Sequence, residues 1–113
     1  MDKFHALAEP TRRQIVEMLA REGAMTAGDI QARFEVSAPA ISQHLKVLRE
    51  AGLVQVEKRA QQRIYRINPE SMLELEAWAK RVRELWTGRF DALDALLPVS
   101  YTHLRAHETV LDL

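Results

Sequence analysis

Cysteine is absent from this chain of 113 residues, and glycine and proline occur only four times each. Without cysteine the protein can form neither disulfide bonds nor thiolate metal sites. The sequence also has no run of 18 apolar residues and no signal-peptide pattern at its start. We therefore expect a soluble cytoplasmic protein with no membrane partner. The formal net charge is zero, so total charge gives no sign of a nucleic-acid partner.

The residue combinations that carry most enzyme chemistry are also missing. There is no Ser/His/Asp arrangement, no glycine-rich phosphate loop and no pair of carboxylates in apolar surroundings. His103 and His107 have the i, i+4 spacing of metal ligands, but no third ligand stands at a suitable distance. The sequence predicts a protein that is not an enzyme and has no catalytic residues, no metal and no cofactor.

With 47% hydrophobic and 28% charged residues, the composition is typical of a globular protein, and the length fits one domain. The charges are unevenly distributed along the chain. Residues 37–66 carry six cationic and two acidic side chains, whereas residues 67–97 carry four cationic and six acidic ones. A basic middle followed by an acidic end predicts one anion-binding face rather than a basic surface all round.

The stretch from Ser37 to Gly52 predicts a helix with two different faces. Ser37 can cap the helix start, Pro39 is tolerated in a first turn, and Gly52 can end the helix. Apolar side chains recur at helical spacing on one face, and the other face carries polar and cationic groups suited to base edges and phosphates. The apolar set is Ile41, Leu45 and Leu48, and the polar set is Ser42, Gln43, Lys46 and Arg49.

The neighbouring segments place this helix in a larger motif. A helix from Pro10 to about Glu22 and a shorter one that starts at Thr26 precede it, and only a short turn separates the shorter one from Ser37. Two helices joined in this way form a helix-turn-helix. Residues 53–59 and 63–67 then alternate between apolar and polar side chains, as short half-buried strands do, and both segments carry cations. The sequence therefore predicts a mainly α fold with a small β-hairpin, a winged helix-turn-helix.

The last predicted helix begins at Asn68-Pro69 and carries an apolar stripe for more than 20 residues, with both tryptophans in it. This stripe exceeds what the core of so small a domain needs, so we expect a homodimer formed by the first and last helices. The alternative, in which the stripe folds back into the core of a monomer, stays open. The predicted dimerisation residues are Phe4, Leu7, Leu75, Trp78, Val82, Leu85, Trp86, Phe90 and Leu93.

Three segments closely resemble the ArsR family of bacterial winged-helix repressors: Ala6-Leu-Ala-Glu-Pro-Thr-Arg-Arg-Gln-Ile-Val, Ser37-Ala-Pro-Ala-Ile-Ser-Gln-His-Leu-Lys-Val-Leu-Arg-Glu-Ala-Gly-Leu-Val, and Arg63-Ile-Tyr-Arg-Ile67. The resemblance covers roughly residues 2–97. It implies a homodimer that binds a palindromic operator in double-stranded DNA and represses transcription, including that of its own gene. Because the chain lacks the family's Cys-x-Cys pair and has no histidine in its last helix before Pro98, it resembles the metal-free members.

The same resemblance implies the residues that contact DNA. His44 is ambiguous, because it can either flank the phosphate backbone or pack at the edge of the helix. For Arg59 and Arg63 the alternative to DNA contact is a salt bridge to Glu57. The implied set is Ser37, Ala38, Pro39, Ser42, Gln43, His44 and Lys46 on the helix, with Arg59, Gln61, Gln62 and Arg63 on the hairpin, or wing.

Residues 98–113 do not continue the pattern and resemble a translated vector or adaptor sequence. We expect residues 1–97 to form the winged-helix DNA-binding and dimerisation domain, and residues 98–113 to be a non-native or disordered tail. Two rival functions stay open. One is a protein–protein interaction module, and the other is a repressor whose unknown small-molecule inducer binds between subunits beside Trp78, Trp86 and Phe90.

Overall fold

The computed structural model describes the backbone of residues 2–94 and the side chains of residues 2–89. The predicted tail at residues 98–113 and the side chains of Phe90 and Leu93 lie outside the described residues. The chain divides after Glu74 into two compact units. Its elements are α1 (Lys3–Leu7), α2 (Pro10–Glu22), β1 (Met25–Thr26), α3 (Ala27–Ala32), α4 (Ala38–Glu50), β2 (Val54–Arg59), β3 (Gln62–Ile67) and α5 (Pro69–Asp94).

Each of the first four helices begins at a side chain that accepts a hydrogen bond from a backbone N–H of the first turn. Asp2 caps α1, Glu9 caps α2 and Thr26 caps α3. Ser37 caps α4 by accepting from the N–H of Ala40 at 3.2 Å. The capping roles predicted for Thr26 and Ser37 are confirmed, and Pro10 opens α2 as predicted.

The core of the first unit lies between α2, α3, α4 and the sheet. α4 packs against α1, α2, α3 and β2, so its apolar side is covered along its whole length. Complete burial of each such aliphatic side chain stabilises the fold by about 1.5–3 kcal/mol. The fully buried large side chains are Ile15, Leu19, Ile30, Ile41, Leu48 and Leu53.

The hairpin belongs to a three-stranded antiparallel sheet in the order β1-β3-β2. The third strand, β1, was not predicted: it has only two residues, Met25 and Thr26, which pair with Tyr65 and Ile64. So short a segment cannot display the alternation that identifies a strand in a sequence. Met25 is nevertheless buried, and its pairing with Tyr65 joins the start of α3 to the middle of β3.

The turn of the hairpin has two residues, because Arg59 pairs with Gln62. The sequence had placed residues 60–62 in this loop, one residue more than the structure has. Ala60 adopts a positive φ of 56°. Two-residue hairpin turns that match the twist of the strands need a positive φ at their first central residue. The sheet therefore holds Ala60 in a conformation that glycine or asparagine adopts more readily.

Asn68 joins the start of α5 to the end of α4. Its Oδ1 accepts from the N–H of Glu70 at 3.2 Å, and its Nδ2 donates to the carbonyl of Gly52 at 2.9 Å. The hydroxyl of Ser71, which is almost completely buried, donates to the same carbonyl. Gly52 has a φ of +80°, as expected for a residue that ends a helix.

The described part of α5 exposes several large apolar side chains. The exposed fractions are 45% for Trp78, 44% for Val82, 73% for Leu85 and 59% for Trp86. Leu75 is half-buried. Among the described residues, no helix combines the length and the apolar character needed to cross a membrane.

We predict that Asn68→Ala lowers the free energy of unfolding by about 1–2 kcal/mol, because it removes a helix cap and one of two side-chain hydrogen bonds to the part-buried carbonyl of Gly52. Asn68→Asp retains the capping oxygen but cannot donate to Gly52, so it should cost less. Urea unfolding of both variants measures the two contributions. Equal losses in the two variants would contradict a capping role for Asn68.

Candidate nucleic-acid interface

α4 presents a continuous polar side to solvent. Ser42, Gln43 and Lys46 are exposed, whereas Ile41 and Leu45 of the same helix are buried. The sequence predicted this division of α4, and the structure confirms it. Side chains of this kind can donate to and accept from base edges, and Lys46 can pair with a phosphate.

The start of α4 is also open to solvent. Ser37, Ala38 and Pro39 are all exposed. The turn before them is held to α3 by Gln31, whose Nε2 donates to the carbonyl of Val36 at 3.1 Å. The first backbone N–H groups of a helix attract anions, so this end of α4 is suited to a phosphate.

His44 lies at the edge of α4, on the side that faces α1 and α2. Its side chain is only 20% exposed. Its Nδ1 lies 3.3 Å from Nη1 of Arg12, and its Nε2 lies 3.8 Å from Oε2 of Glu9. Of the two alternatives drawn from the sequence, the structure places His44 at the helix edge. Contact between His44 and DNA stays a prediction.

Arg12 and Glu9 were not assigned a role beside α4 from the sequence. The nearest signal is the Glu9-Pro10 pair, which predicts a helix start but not the contact between Arg12 and His44, 32 residues apart. Glu9 accepts from the backbone N–H of Arg12 at 3.1 Å, and the Arg12 side chain extends back to α1 and across to α4. Only the packing of α1, α2 and α4 brings these groups together.

The wing residues that the sequence predicts to contact DNA lie on two faces of the hairpin. Because Arg59 pairs with Gln62 and Lys58 pairs with Arg63, each pair shares one face, and the two pairs lie on opposite faces. All four side chains are exposed, as is Gln61 in the turn. Lys58 was absent from the predicted set, although its register beside Arg63 gives it the same access to a ligand.

Glu57 holds two cations on one face of the wing. Its carboxylate accepts from Nη2 of Arg59 at 3.0 Å and lies 3.5 Å from Nη2 of Arg66. The hydrogen bond and charge of Arg59, with the charge of Arg66, outweigh burial and lower the pKa of Glu57 below its ordinary value. The salt bridge considered for Arg59 is thus present in the free protein.

The pKa of Glu9 is also lowered. Burial raises it, but the backbone N–H groups of Arg12 and Thr11 and the charges of His44 and Arg12 together outweigh burial. Among the described side chains, residues 2–89, no group of three or more histidine or acidic residues is arranged to hold a metal ion.

We predict that Glu9→Gln lowers the free energy of unfolding at pH 7 and that this loss disappears in acid. The carboxylate has a lower pKa in the folded chain than the ordinary 4.5, so its stabilisation is present above pH 4.5 and is lost as pH falls through the folded value. Urea unfolding of both proteins at pH 7 and below pH 4.5 measures the effect. Glu17→Gln, at an exposed position of α2, is the control. A pH-independent difference between Glu9→Gln and the parent would contradict the prediction.

The chain is similar to known regulators over most of its described length. A helix-turn-helix domain model matches residues 7–57. The transcriptional repressor SdpR of Bacillus subtilis is 37% identical over 75 residues, which cover 66% of this chain and 82% of SdpR. The arsenical resistance operon repressor of Escherichia coli is 34% identical over 95 residues, covering 83% and 78% of the two chains.

Solved structures agree with these relatives. The crystal structure of an ArsR family transcriptional regulator superposes with a TM-score of 0.68 at 32% identity, covering 74% of this chain and 86% of the other. This likeness confirms the winged helix-turn-helix fold. The capped α4 with its exposed polar side, the basic wing and these relatives together lead to one conclusion: the chain belongs to the ArsR family of DNA-binding helix-turn-helix transcriptional regulators, as a repressor rather than an enzyme.

Proposed function

We propose that this regulator is a homodimer that binds a palindromic operator, including one upstream of its own gene, and thereby blocks transcription in the cytoplasm. The observation that carries the proposal is the exposed polar side of α4, whose other side is completely packed. A helix supported in this way can enter a major groove, with its exposed residues against the base edges.

We assign the base contacts to the middle of α4, which we call the recognition helix. The Gln43 side chain can donate to and accept from an adenine at once, and each such bidentate pair is worth about 1–3 kcal/mol of discrimination. The Ser42 hydroxyl can donate to an acceptor or accept from a donor on a base edge, and Lys46 can reach a guanine or a phosphate. Ser37, Ala38 and Pro39 lie at the open N-terminal end, where we expect backbone contacts to phosphate.

We assign phosphate and minor-groove contacts to the wing. Arg63 and Lys58 on one face and Arg59 and Gln62 on the other supply donors on both sides of its tip. The ion pair between Arg59 and Glu57 is exposed, with 65% and 51% of the two side chains accessible. Exposed pairs of this kind contribute about 0–1 kcal/mol, so a phosphate can replace Glu57 as the partner of Arg59.

We assign the dimer contact to α1 and α5. The exposed apolar residues of α5 recur every three or four positions, and Phe4 of α1 is also 48% exposed. Burying such a surface against a second copy removes it from water and brings two recognition helices together. A two-fold dimer that reads successive major grooves needs them about 34–36 Å apart. Leu7, Leu75, Phe90 and Leu93 complete the proposed set.

We predict that Gln43→Ala reduces the preference for operator over unrelated DNA by about 10-fold, because a base contact is lost. Arg63→Ala should instead weaken binding to all DNA and reduce the salt dependence by about one phosphate contact. Mobility-shift titrations at two salt concentrations, with DNA from upstream of the gene and a scrambled duplex, separate the two effects. Gln14→Ala, at an exposed position of α2, is the control.

Unchanged operator affinity in both Gln43→Ala and Arg63→Ala would overturn the proposed interface. If the parent bound an acidic protein but no DNA sequence selectively, the protein–protein alternative would be supported.

We predict that Leu85→Glu converts a dimer into a monomer, because a carboxylate cannot be buried in an apolar contact without a partner. Light scattering of the full chain during gel filtration measures the mass. Lys80→Glu places a carboxylate on the opposite side of α5 and should leave the dimer intact. A parent protein that is monomeric at micromolar concentration would overturn the proposed dimer.

A further inference from the structure

The side chain of Arg12 connects the end of α1 to the recognition helix. Its Nε donates to the carbonyl of Ala6 at 2.6 Å, and its Nη2 donates to the carbonyl of His5 at 3.4 Å. Its Nη1 lies 3.3 Å from Nδ1 of His44, in the middle of α4. One half-buried guanidinium therefore contacts two elements besides its own helix, α2.

The contact with α1 has a clear physical basis. Carbonyls in the last turn of a helix lack i+4 partners, and cationic donors are favoured at that end. The carbonyl of His5 accepts from the N–H of Ala8 as well as from Arg12. A guanidinium carries five N–H donors in a rigid plane, so it can serve these carbonyls and still donate to His44. A lysine has the same charge but lacks the planar fork that reaches in both directions.

When His44 is neutral, the contact also determines which ring nitrogen carries the proton. Because a guanidinium can only donate, Nδ1 of His44 must accept, and the ring proton is then on Nε2. Nε2 faces Oε2 of Glu9 at 3.8 Å, and Glu9 also accepts from the backbone N–H of Arg12. Glu9, Arg12 and His44 thus form a closed cluster between the start of α2 and the centre of α4.

We propose that Arg12 and His44 are positioning residues for DNA sequence recognition, which hold the recognition helix at the angle that reading bases requires. The inference depends on the proposed reading role of α4. His44 directly follows Gln43, so its anchor acts on the segment that carries the base contacts. Bidentate contacts tolerate displacements of only about 0.5 Å and 10–20°, whereas phosphate contacts by long cationic side chains are much less demanding.

The role has a distinctive signature. Loss of a positioning contact lowers affinity for the operator and leaves affinity for unrelated DNA and its salt dependence unchanged. Loss of a direct phosphate contact weakens binding to every sequence and reduces the salt slope by about one. The two roles can therefore be distinguished by comparing two duplexes at two salt concentrations.

The test uses the full chain, a 30-base-pair duplex (about three helical turns) selected by the parent protein from a random pool, and a scrambled duplex of equal composition. Arg12→Lys keeps the charge and removes the fork, and His44→Leu removes the acceptor. His44→Asn places an amide oxygen where Nδ1 lies and serves as the rescue variant. Arg13→Lys, at the next and exposed position, is the matched control.

We expect Arg12→Lys and His44→Leu each to lower operator affinity about 10-fold, and we expect Arg12→Lys to bind the scrambled duplex as the parent does. The double variant should lose little more than either single one, because both remove the same contact. His44→Asn should retain most of the affinity. In the free parent protein, nitrogen NMR should show an unprotonated Nδ1 in His44, independently of any DNA.

Parent-like discrimination in Arg12→Lys would overturn the proposal, as would equal losses on both duplexes with a reduced salt slope. A protonated Nδ1 in neutral His44 would overturn it as well. Gln43→Ala distinguishes failure of the positioning role from failure of the reading role of α4. If Gln43→Ala lowers discrimination and Arg12→Lys does not, only the positioning role fails. If neither does, the reading role of α4 fails together with it.

Discussion

The structure depends on the burial of one side of α4. Ile41, Leu45 and Leu48 are almost completely removed from water by α1, α2, α3 and β2. Because apolar burial is the dominant favourable contribution to folding, it determines which side of α4 faces the interior. The polar side is exposed as a consequence, and the regulator can present Gln43 and Lys46 to DNA without any rearrangement of its core.

Burial alone fixes which face of a helix is covered but does not fix its angle precisely, because apolar contacts are non-directional. Hydrogen bonds supply directional contacts around α4. Before the helix, Gln31 donates to the carbonyl of Val36. At its middle Arg12 contacts His44, and beyond its end Asn68 donates to the carbonyl of Gly52. The recognition helix and its two flanking turns are thus tied to α2, α3 and the start of α5 by polar contacts as well as by packing.

The charge distribution of the wing has a related consequence. Glu57 pairs with Arg59 and Arg66 in the free protein, so part of the positive charge that the sequence places in residues 37–66 is already compensated. In our proposal phosphate replaces Glu57 as the partner of these arginines. The net binding free energy that Arg59 and Arg66 each contribute is therefore smaller than a count of charges indicates. Arg63 and Lys58 lie on the other face of the hairpin, away from the carboxylate of Glu57.

The sequence by itself determined the helices, the hairpin and the two faces of α4, because each is encoded by local capping residues and by the period of apolar side chains. It also determined the family, since the similar segments span the whole motif. β1 could not be predicted, because two residues carry no period and Met25 acquires its partner only when Tyr65 is brought beside it.

The surroundings of His44 were likewise decided only by the tertiary structure. His44 directly follows Gln43 in the sequence, but the contact between His44 and Arg12 joins residues 32 positions apart. The two faces of the wing also required the strand register, because a shift of β3 by one residue would have placed Arg63 on the same face as Arg59. Local patterns specify elements, whereas contacts between distant residues depend on how the elements pack.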